Sequence, residues 1–331
     1  MTLVAVGACY LDTILTKSYS RVLIRTHHYP GEDEKLRASR ISHRRGGNCP
    51  NTLEVLGQLL KYRPSSTESS LNLITVLPSK TAVASQQIQS SLGNMVRLDS
   101  SIYREAFSEP ASSYIISSQT TGSRTIVNYN ELPEMTRAEF ASAVEPLRAL
   151  TDRPWFHFEG RAPDVTLECI YYIRKNFPGA EISVEVEKPG RPGLQELADE
   201  ADYVLYSKGW AQNNGYTSAE DCLRDQSLKI GRASLLCCTW GHDGAAALEP
   251  KTGNFAHVPA HTEGLGVTDT IGAGDTFNAG LLYGLIYRGR DWDFRKRLEF
   301  ANLLAGLKVT QEGFGNLHRA LDVLPYSSAV H

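Results

Sequence analysis

At 331 residues the chain is large enough to bury a sizeable α/β core, and its net charge of −3, from 34 basic and 37 acidic side chains, lacks the basic excess that a nucleic-acid backbone demands. The six cysteines, at 9, 49, 169, 222, 237 and 238, follow no metal-ligand spacing and lie mostly in apolar runs, as reduced core residues do. No apolar run reaches membrane-spanning length and the N-terminus carries no basic leader, so a cytoplasmic enzyme is expected, with no nucleic-acid or membrane partner.

Leu3 to Ala8 is a short apolar run that reads as a strand buried on both faces, and Asp12 lies just past it, where open α/β sheets bind ligands. From Lys17 to Arg45 the chain turns polar, basic and partly alternating (Val22 and Ile24, then Leu36, Ala38 and Ile41), which suits strands outside the main core. Gly46-Gly47-Asn48-Cys49-Pro50-Asn51 then forms a glycine loop feeding a helix over Thr52 to Leu60, with Pro50 tolerated in its first turn. The amides of Asn48 and Asn51 suit sugar hydroxyls; alternatively, Asn48 caps the helix. A strand over Leu71 to Leu77 and a helix over Thr81 to Leu92 follow. Ser113 to Ser118 and Arg124 to Tyr129 alternate as a hairpin turning at Gly122.

Beyond the hairpin, strands at Trp155 to Phe158, Ile182 to Val186, Tyr203 to Tyr206 and Leu235 to Trp240 alternate with helical patterns near 164–177, 194–200 and 218–230, which implies parallel βαβ units. Glu185 and Glu187 share one strand face, too close together to flank a glycoside as a pair of catalytic carboxylates. Gly272, Ala273 and Gly274 form a second glycine loop ahead of a helix, so unpaired N–H groups and the helix dipole make an anion site there. Phe277 stands where a dinucleotide fingerprint needs its third glycine, and no Gly-Lys pair exists for a P-loop. A carboxylate inside an anion site, Asp275, is either a helix cap or a base acting on a hydroxyl that attacks phosphate; the helix dipole should keep it ionised. A last helix spans Arg295 to Thr310.

The glycine loop at 46–48 and the run from Asp269 to Gly280, in this order and spacing, resemble the two signature segments of the ribokinase-type (pfkB) carbohydrate kinases. Within that family the likeness extends to the ketohexokinase branch. It rests on Tyr29-Pro30-Gly31-Glu32-Asp33, Arg45-Gly46-Gly47-Asn48, Gly122-Ser123-Arg124-Thr125-Ile126, Phe156-His157-Phe158-Glu159-Gly160-Arg161 and Val184-Glu185-Val186-Glu187-Lys188-Pro189. The resemblance implies an α/β ribokinase-like three-layer sandwich with a mostly parallel central sheet, one domain over 1–331, and a small β-sheet lid inserted from about 13–45 and 107–130. It implies transfer of phosphate from ATP to a ketohexose such as fructose, giving the 1-phosphate, with Mg²⁺ and, as a further candidate, K⁺, in a homodimer joined through the lid strands. Another sugar, a nucleoside or a silent sugar sensor are the rival readings.

Residue by residue, Asp12, Gly47, Asn48 and Asn51 match positions that grip the sugar, with Asp33 reaching from the lid into the partner subunit's site. Asp275 matches the base, and the amides of Gly272, Ala273 and Gly274 match the hole for the transferred phosphoryl group. Arg124 and Lys208 match residues facing ATP, and Gly241, His242, Asp243 and Gly244 a loop over the nucleotide. Many relatives carry Asn-x-x-Glu to organise Mg²⁺, whereas this chain has Ser207-Lys208-Gly209-Trp210. Mg²⁺ is therefore expected to arrive with ATP, touching Glu187 only through water. The glycine-and-acid pattern of many relatives is also missing near Leu77-Pro78-Ser79-Lys80, which bears on the choice of sugar.

Overall fold

The first strand, β1 (Thr2–Val6), is buried along its whole length, yet its side chains part company: Leu3 and Ala5 join one apolar cluster, Val4 and Val6 another. Period-two alternation does this only when both faces of a sheet are covered. A computed structural model of the chain, describing residues 1–17, 31–35, 37–64, 69–118, 124–149, 153–261, 266–289 and 291–323, shows the layers. The other strands are β2 Tyr10–Lys17, β3 Arg40–Gly46, β4 Ser70–Ile74, β5 Val76–Pro78, β6 Val96–Arg97, β7 Ile102–Arg104, β8 Ser112–Ser118, β9 Arg124–Tyr129, β10 Trp155–Glu159, β11 Glu181–Val186, β12 Tyr203–Tyr206, β13 Leu235–Thr239, β14 Ala245–Leu248 and β15 Phe255–Val258. The helices are α1 Asn48–Tyr62, α2 Val83–Leu92, α3 Arg137–Val144, α4 Pro163–Asn176, α5 Leu194–Glu200, α6 Lys208–Asn213, α7 Ala219–Lys229, α8 Ala273–Leu282, α9 Phe294–Val309 and α10 Ala320–Val323.

The nine-stranded sheet runs β15-β14-β13-β12-β11-β10-β1-β4-β6, parallel from β13 to β6. α1, α2, α8 and α9 cover one face, and α3, α4, α5 and α7 the other. The expected three-layer α/β arrangement is thus present. The two strands β14 and β15 are antiparallel, joined by short connections instead of crossovers. Their Ala245-Ala246-Ala247 run carries no strand signal in the sequence, because alanine is a weak strand former. α3 starts with a reciprocal capping box between Thr136 and Glu139.

A separate four-stranded sheet, β3-β2-β8-β9, is the expected lid. It contains Asp12, which lies past the end of β1 as expected and sits inside strand β2. The strand expected over Leu71 to Leu77 breaks at Thr75, so that β4 stays in the main sheet while β5 pairs with β7. Val22, Ile24, Tyr29, Pro30, Leu36, Gly122 and Ser123 lie outside the described residues. Among the described residues no helix is long and apolar enough to cross a membrane, and all six cysteines are buried and free.

Candidate active site

Two helix N-termini, those of α1 and α8, meet beyond the carboxyl ends of β11, β12 and β13, and the lid closes the far side of a cleft of about 370 Å³. At α1 the glycines are sterically required. A Cβ on Gly46 would run into the Asp12 carboxylate, and one on Gly47, at φ 106°, into the Ala8 carbonyl. Asn48 opens α1 but does not cap it. Its Nδ2 donates to Glu185 Oε2 at 2.7 Å and to Glu187 Oε2 at 3.2 Å.

Glu185 is held from beneath as well. Trp155 Nε1 can only donate, so Ser183 Oγ, 2.8 Å away, accepts from it. The Ser183 hydroxyl proton then goes to His157 Nδ1 at 2.8 Å, in preference to the Phe156 carbonyl at 3.4 Å, which leaves His157 Nε2–H to donate to Glu185 Oε1 at 2.9 Å. Glu185 is thereby fixed as an acceptor at both oxygens. Cys49, His157 and Glu185 place their donor atoms within 4.8 Å of one another. This trio does not suit a metal, because the imidazole nitrogens are spent on Ser183 and Glu185, while the Cys49 thiol points at the Val6 carbonyl (3.4 Å) and burial pushes its pKa well up.

At α8 the capping residue is Gly272, left-handed at φ 78°, and a Cβ there would strike the Phe314 ring. Asp275 is the third residue of the helix and caps nothing; Oδ2 accepts from Asn51 Nδ2 at 2.7 Å. The Asn51 amide is oriented from its other end, since Oδ1 accepts from Arg45 Nη1 at 2.9 Å and Arg45 also pairs with Glu54. Thr52 Oγ1 donates to the Asp275 carbonyl at 3.1 Å and fastens the two helices together. Burial pushes the Asp275 carboxyl well above the usual range. The negative charge of Glu185, then those of Glu187 and Glu159, act the same way, against the pull of Asn51. Dehydration and like charges thus work against the helix dipole, which was expected to keep Asp275 ionised. Ala273 N–H turns to the Thr270 carbonyl at 3.3 Å, whereas the N–H groups of Gly272 and Gly274 meet no acceptor among the described residues.

Asp12 and Arg44, cross-strand partners in the lid sheet, both line the cleft. Burial raises the Asp12 carboxyl, opposed by the Ser113 hydroxyl and by Arg44 and Arg45. Asp33 is exposed on a turn with φ 58° and does not line the cleft of its own chain. Lys208 opens α6 with Nζ 5.5 Å from the Trp240 ring, and Gly241–Asp243 makes a 3-10 turn just past Thr239, where the cleft lining on β13 ends. Gly244, at φ 92°, leaves no room for a Cβ against the Val258 carbonyl. Arg124 begins β9. Sequence reasoning assigned no role to Lys308, and read Arg45, His157 and Glu185 only as parts of motifs. The signals available were the place of Arg45 directly before the glycine pair and that of His157 and Glu185 inside the other quoted segments; Lys308 carried none.

Residues 3–320 match the pfkB family of carbohydrate kinases. This chain belongs to that family. It is 30% identical to mouse (Mus musculus) ketohexokinase over 301 residues, covering 87% of this chain and 92% of the relative. Among solved structures, a ribokinase from Giardia lamblia superposes with a TM-score of 0.74 at 16% identity, covering 97% of each chain. A nucleoside kinase from Burkholderia thailandensis, in complex with inosine, gives a TM-score of 0.63 at 16% identity over 96% of this chain and 94% of the other. The last two likenesses are of fold. As a pfkB carbohydrate kinase the chain is a phosphotransferase, and ATP is the donor that such kinases use.

Proposed function

We propose that this chain transfers the γ-phosphoryl group of ATP to a primary hydroxyl of a ketohexose such as fructose, giving the 1-phosphate, with Asp275 as base. The observation that carries the reading is the Asn51–Asp275 hydrogen bond of 2.7 Å. It holds one carboxylate oxygen and leaves the other to take a proton, beside a glycine loop whose Gly272 and Gly274 amides meet no acceptor among the described residues. As the hydroxyl oxygen bonds to the γ-phosphorus, its proton passes to Asp275, the bond to the bridging oxygen breaks, and ADP leaves. The two loop amides and Arg124 offset the equatorial charge. Lys208 and residues 241–244 border the nucleotide.

The sugar is gripped by Asp12, the Gly47 backbone and Asn48. The Asn48 NH₂ is committed to Glu185 and Glu187, so its carbonyl oxygen is the end that a sugar hydroxyl can use. Asn51, engaged by Arg45 and Asp275, keeps at most one donor for the sugar and serves mainly to orient the base. Mg²⁺ fits a site of this kind: Glu187 is an exposed hard-oxygen carboxylate with one oxygen uncommitted, reached through water while the ATP phosphates hold the ion. When bound, the ion would neutralise phosphate charge and lower the Asp275 pKa. For K⁺ the fit is poor at the base of the loop, where the gathered oxygens of Asp269 and Gln311 already hold Lys308.

The likeness to a ketohexokinase supports a ketohexose over a pentose or nucleoside. The test is a coupled ADP-release assay across fructose, tagatose, xylulose, ribose, mannose, adenosine and water. Release that depends on a ketohexose is expected. Turnover with only ribose or adenosine would reassign the substrate, and no turnover with any acceptor would leave a binding role.

A further inference from the structure

Lys308, near the end of α9, has no exposed surface. A buried ammonium is costly unless each of its three N–H donors is met. They are met by the Asp269 carbonyl at 2.9 Å, Asp269 Oδ2 at 3.1 Å and the Gln311 carbonyl at 3.3 Å, with the Phe314 ring 5.5 Å from Nζ. The same carboxylate takes the Ile271 N–H on Oδ1 at 2.9 Å and Arg44, from the lid, on Oδ2 at 3.3 Å. The Phe314 ring lies directly under Gly272. Lys308 thus ties Asp269, at the start of the short stretch that delivers the Gly272 and Gly274 amides to the cleft, to the Gln311 carbonyl just past α9. The reaction described above uses none of the lysine's own chemistry, and a buried ion pair is seldom the cheapest way to fill a core.

We infer that Lys308 is a positioning residue: an internal ammonium that draws the oxygens of Asp269 and Gln311 together and so fixes residues 269–272, and with them the two free amides. The inference rests on the phosphoryl-transfer reading for its purpose but not for its physics. Without the ammonium, the Asp269 and Gln311 carbonyls would face each other without their shared donor, the Asp269 carboxylate would keep only Ile271 N–H and Arg44, and the loop would relax. Truncation to alanine would leave an oxygen-lined chamber that suits a small cation of ammonium size.

The test uses the full chain as Lys308→Ala, with Lys308→Met as a partner that refills the space without charge. Thermal unfolding and amide hydrogen exchange over residues 268–275 are measured in ammonium, methylammonium, sodium and tetramethylammonium chloride at matched ionic strength. The alanine variant is expected to melt below the parent and to exchange faster in this loop. Ammonium or methylammonium should restore both properties, while tetramethylammonium, too large for the chamber, should not. The methionine variant should respond to none of the salts. If the alanine variant folds only in some salts, its folding yield in ammonium against sodium is read in the same way. In turnover, kcat of Lys308→Ala should fall roughly 10–100-fold, as for a displaced catalytic group, with the acceptor KM within about threefold and kcat recovering with ammonium. Recovery of melting without recovery of loop exchange would overturn the inference, as would the absence of any ammonium-selective effect. A parent without phosphoryl transfer would sink the kinase reading alone, because melting and exchange still decide whether Lys308 fixes the loop.

Discussion

Asn51 Nδ2 stands 2.7 Å from Asp275 Oδ2, and the same amide is gripped at Oδ1 by Arg45, 2.9 Å away. An amide held at its oxygen by a guanidinium cannot flip, so it presents a donor to the carboxylate in every state of the site. Asp275→Asn tests what that carboxylate is for. Turnover should fall roughly 10²–10⁴-fold with affinities little changed, the loss expected for a positioned base. Stability should move in the opposite direction. Because the folded protein holds the Asp275 proton more tightly than the unfolded chain, this residue lowers stability as pH rises above the unfolded carboxylate value of about 3.9. The asparagine variant should therefore melt higher than the parent at pH 7 and match it near pH 3, a comparison that calorimetry at the two pH values decides.

Arg45 separates positioning from charge. Arg45→Met frees the Asn51 amide and leaves Glu54 unpaired, so a loss of about 1–3 kcal/mol in denaturant titration is expected, the usual range for a broken buried hydrogen-bond set. Turnover should fall roughly tenfold or more through misplacement of Asn51 and Asp275. Glu54→Gln keeps the Arg45–Asn51 contact and should leave kcat within about threefold of the parent. Equal losses in both variants would mean that the ion pair matters and the amide does not.

Most of the framework was legible in the sequence because its signals are local. The apolar runs of β1 and β10 to β13 and the helical period of α4, α7 and α9 need no tertiary information. Asp12 was expected just past the first strand, and it is; that it lies within a second strand was not legible, because the break at residues 7–9 is followed at once by β2. The chemistry of an asparagine reads the same whether it will meet a sugar or a carboxylate, so the contact of Asn51 with Asp275 was not legible. Lys308 looks like an ordinary basic residue in the last turn of a helix, where the dipole favours it. Only the fold reveals that it points inward to Asp269.

Glu159 supplies a pH test independent of turnover. Its Oε2 accepts from Ala8 N–H at 2.8 Å, but burial, followed by the charge of Glu185, pushes its pKa up to about 7, against the pull of Ala8 and Arg161. A carboxyl raised in the folded state gives stability that is fully present below the unfolded value and is lost as pH rises to the folded one. Stability should thus decline between about pH 4.5 and pH 7, by on the order of 3 kcal/mol at most from this residue. Asp275 adds to the decline with the same sign, so Glu159→Gln should reduce the slope without abolishing it. A slope unchanged in Glu159→Gln would show that this carboxyl stays ionised.

The lid carries the last prediction. Register places Asp12 and Arg44 on one face of the β3-β2-β8-β9 sheet, toward the cleft, and Thr13, Tyr114 and Val127 on the other. That second face is apolar and open to solvent: Val127 is 60% exposed, Ile41 58% and Tyr114 51%. An uncovered apolar face of this kind favours pairing, and a second copy of the chain is the expected partner. Light scattering at assay concentration should therefore report a dimer, and Val127→Lys together with Ile41→Lys should shift it to monomer without unfolding the main sheet. If the partner's lid completes the sugar site, as expected for Asp33, the monomeric variant and Asp33→Ala should both raise the acceptor KM, with the ATP KM changing little. A parent that scatters as a monomer with sugar present would remove the partner subunit from the site, and an unchanged acceptor KM in Asp33→Ala would remove Asp33.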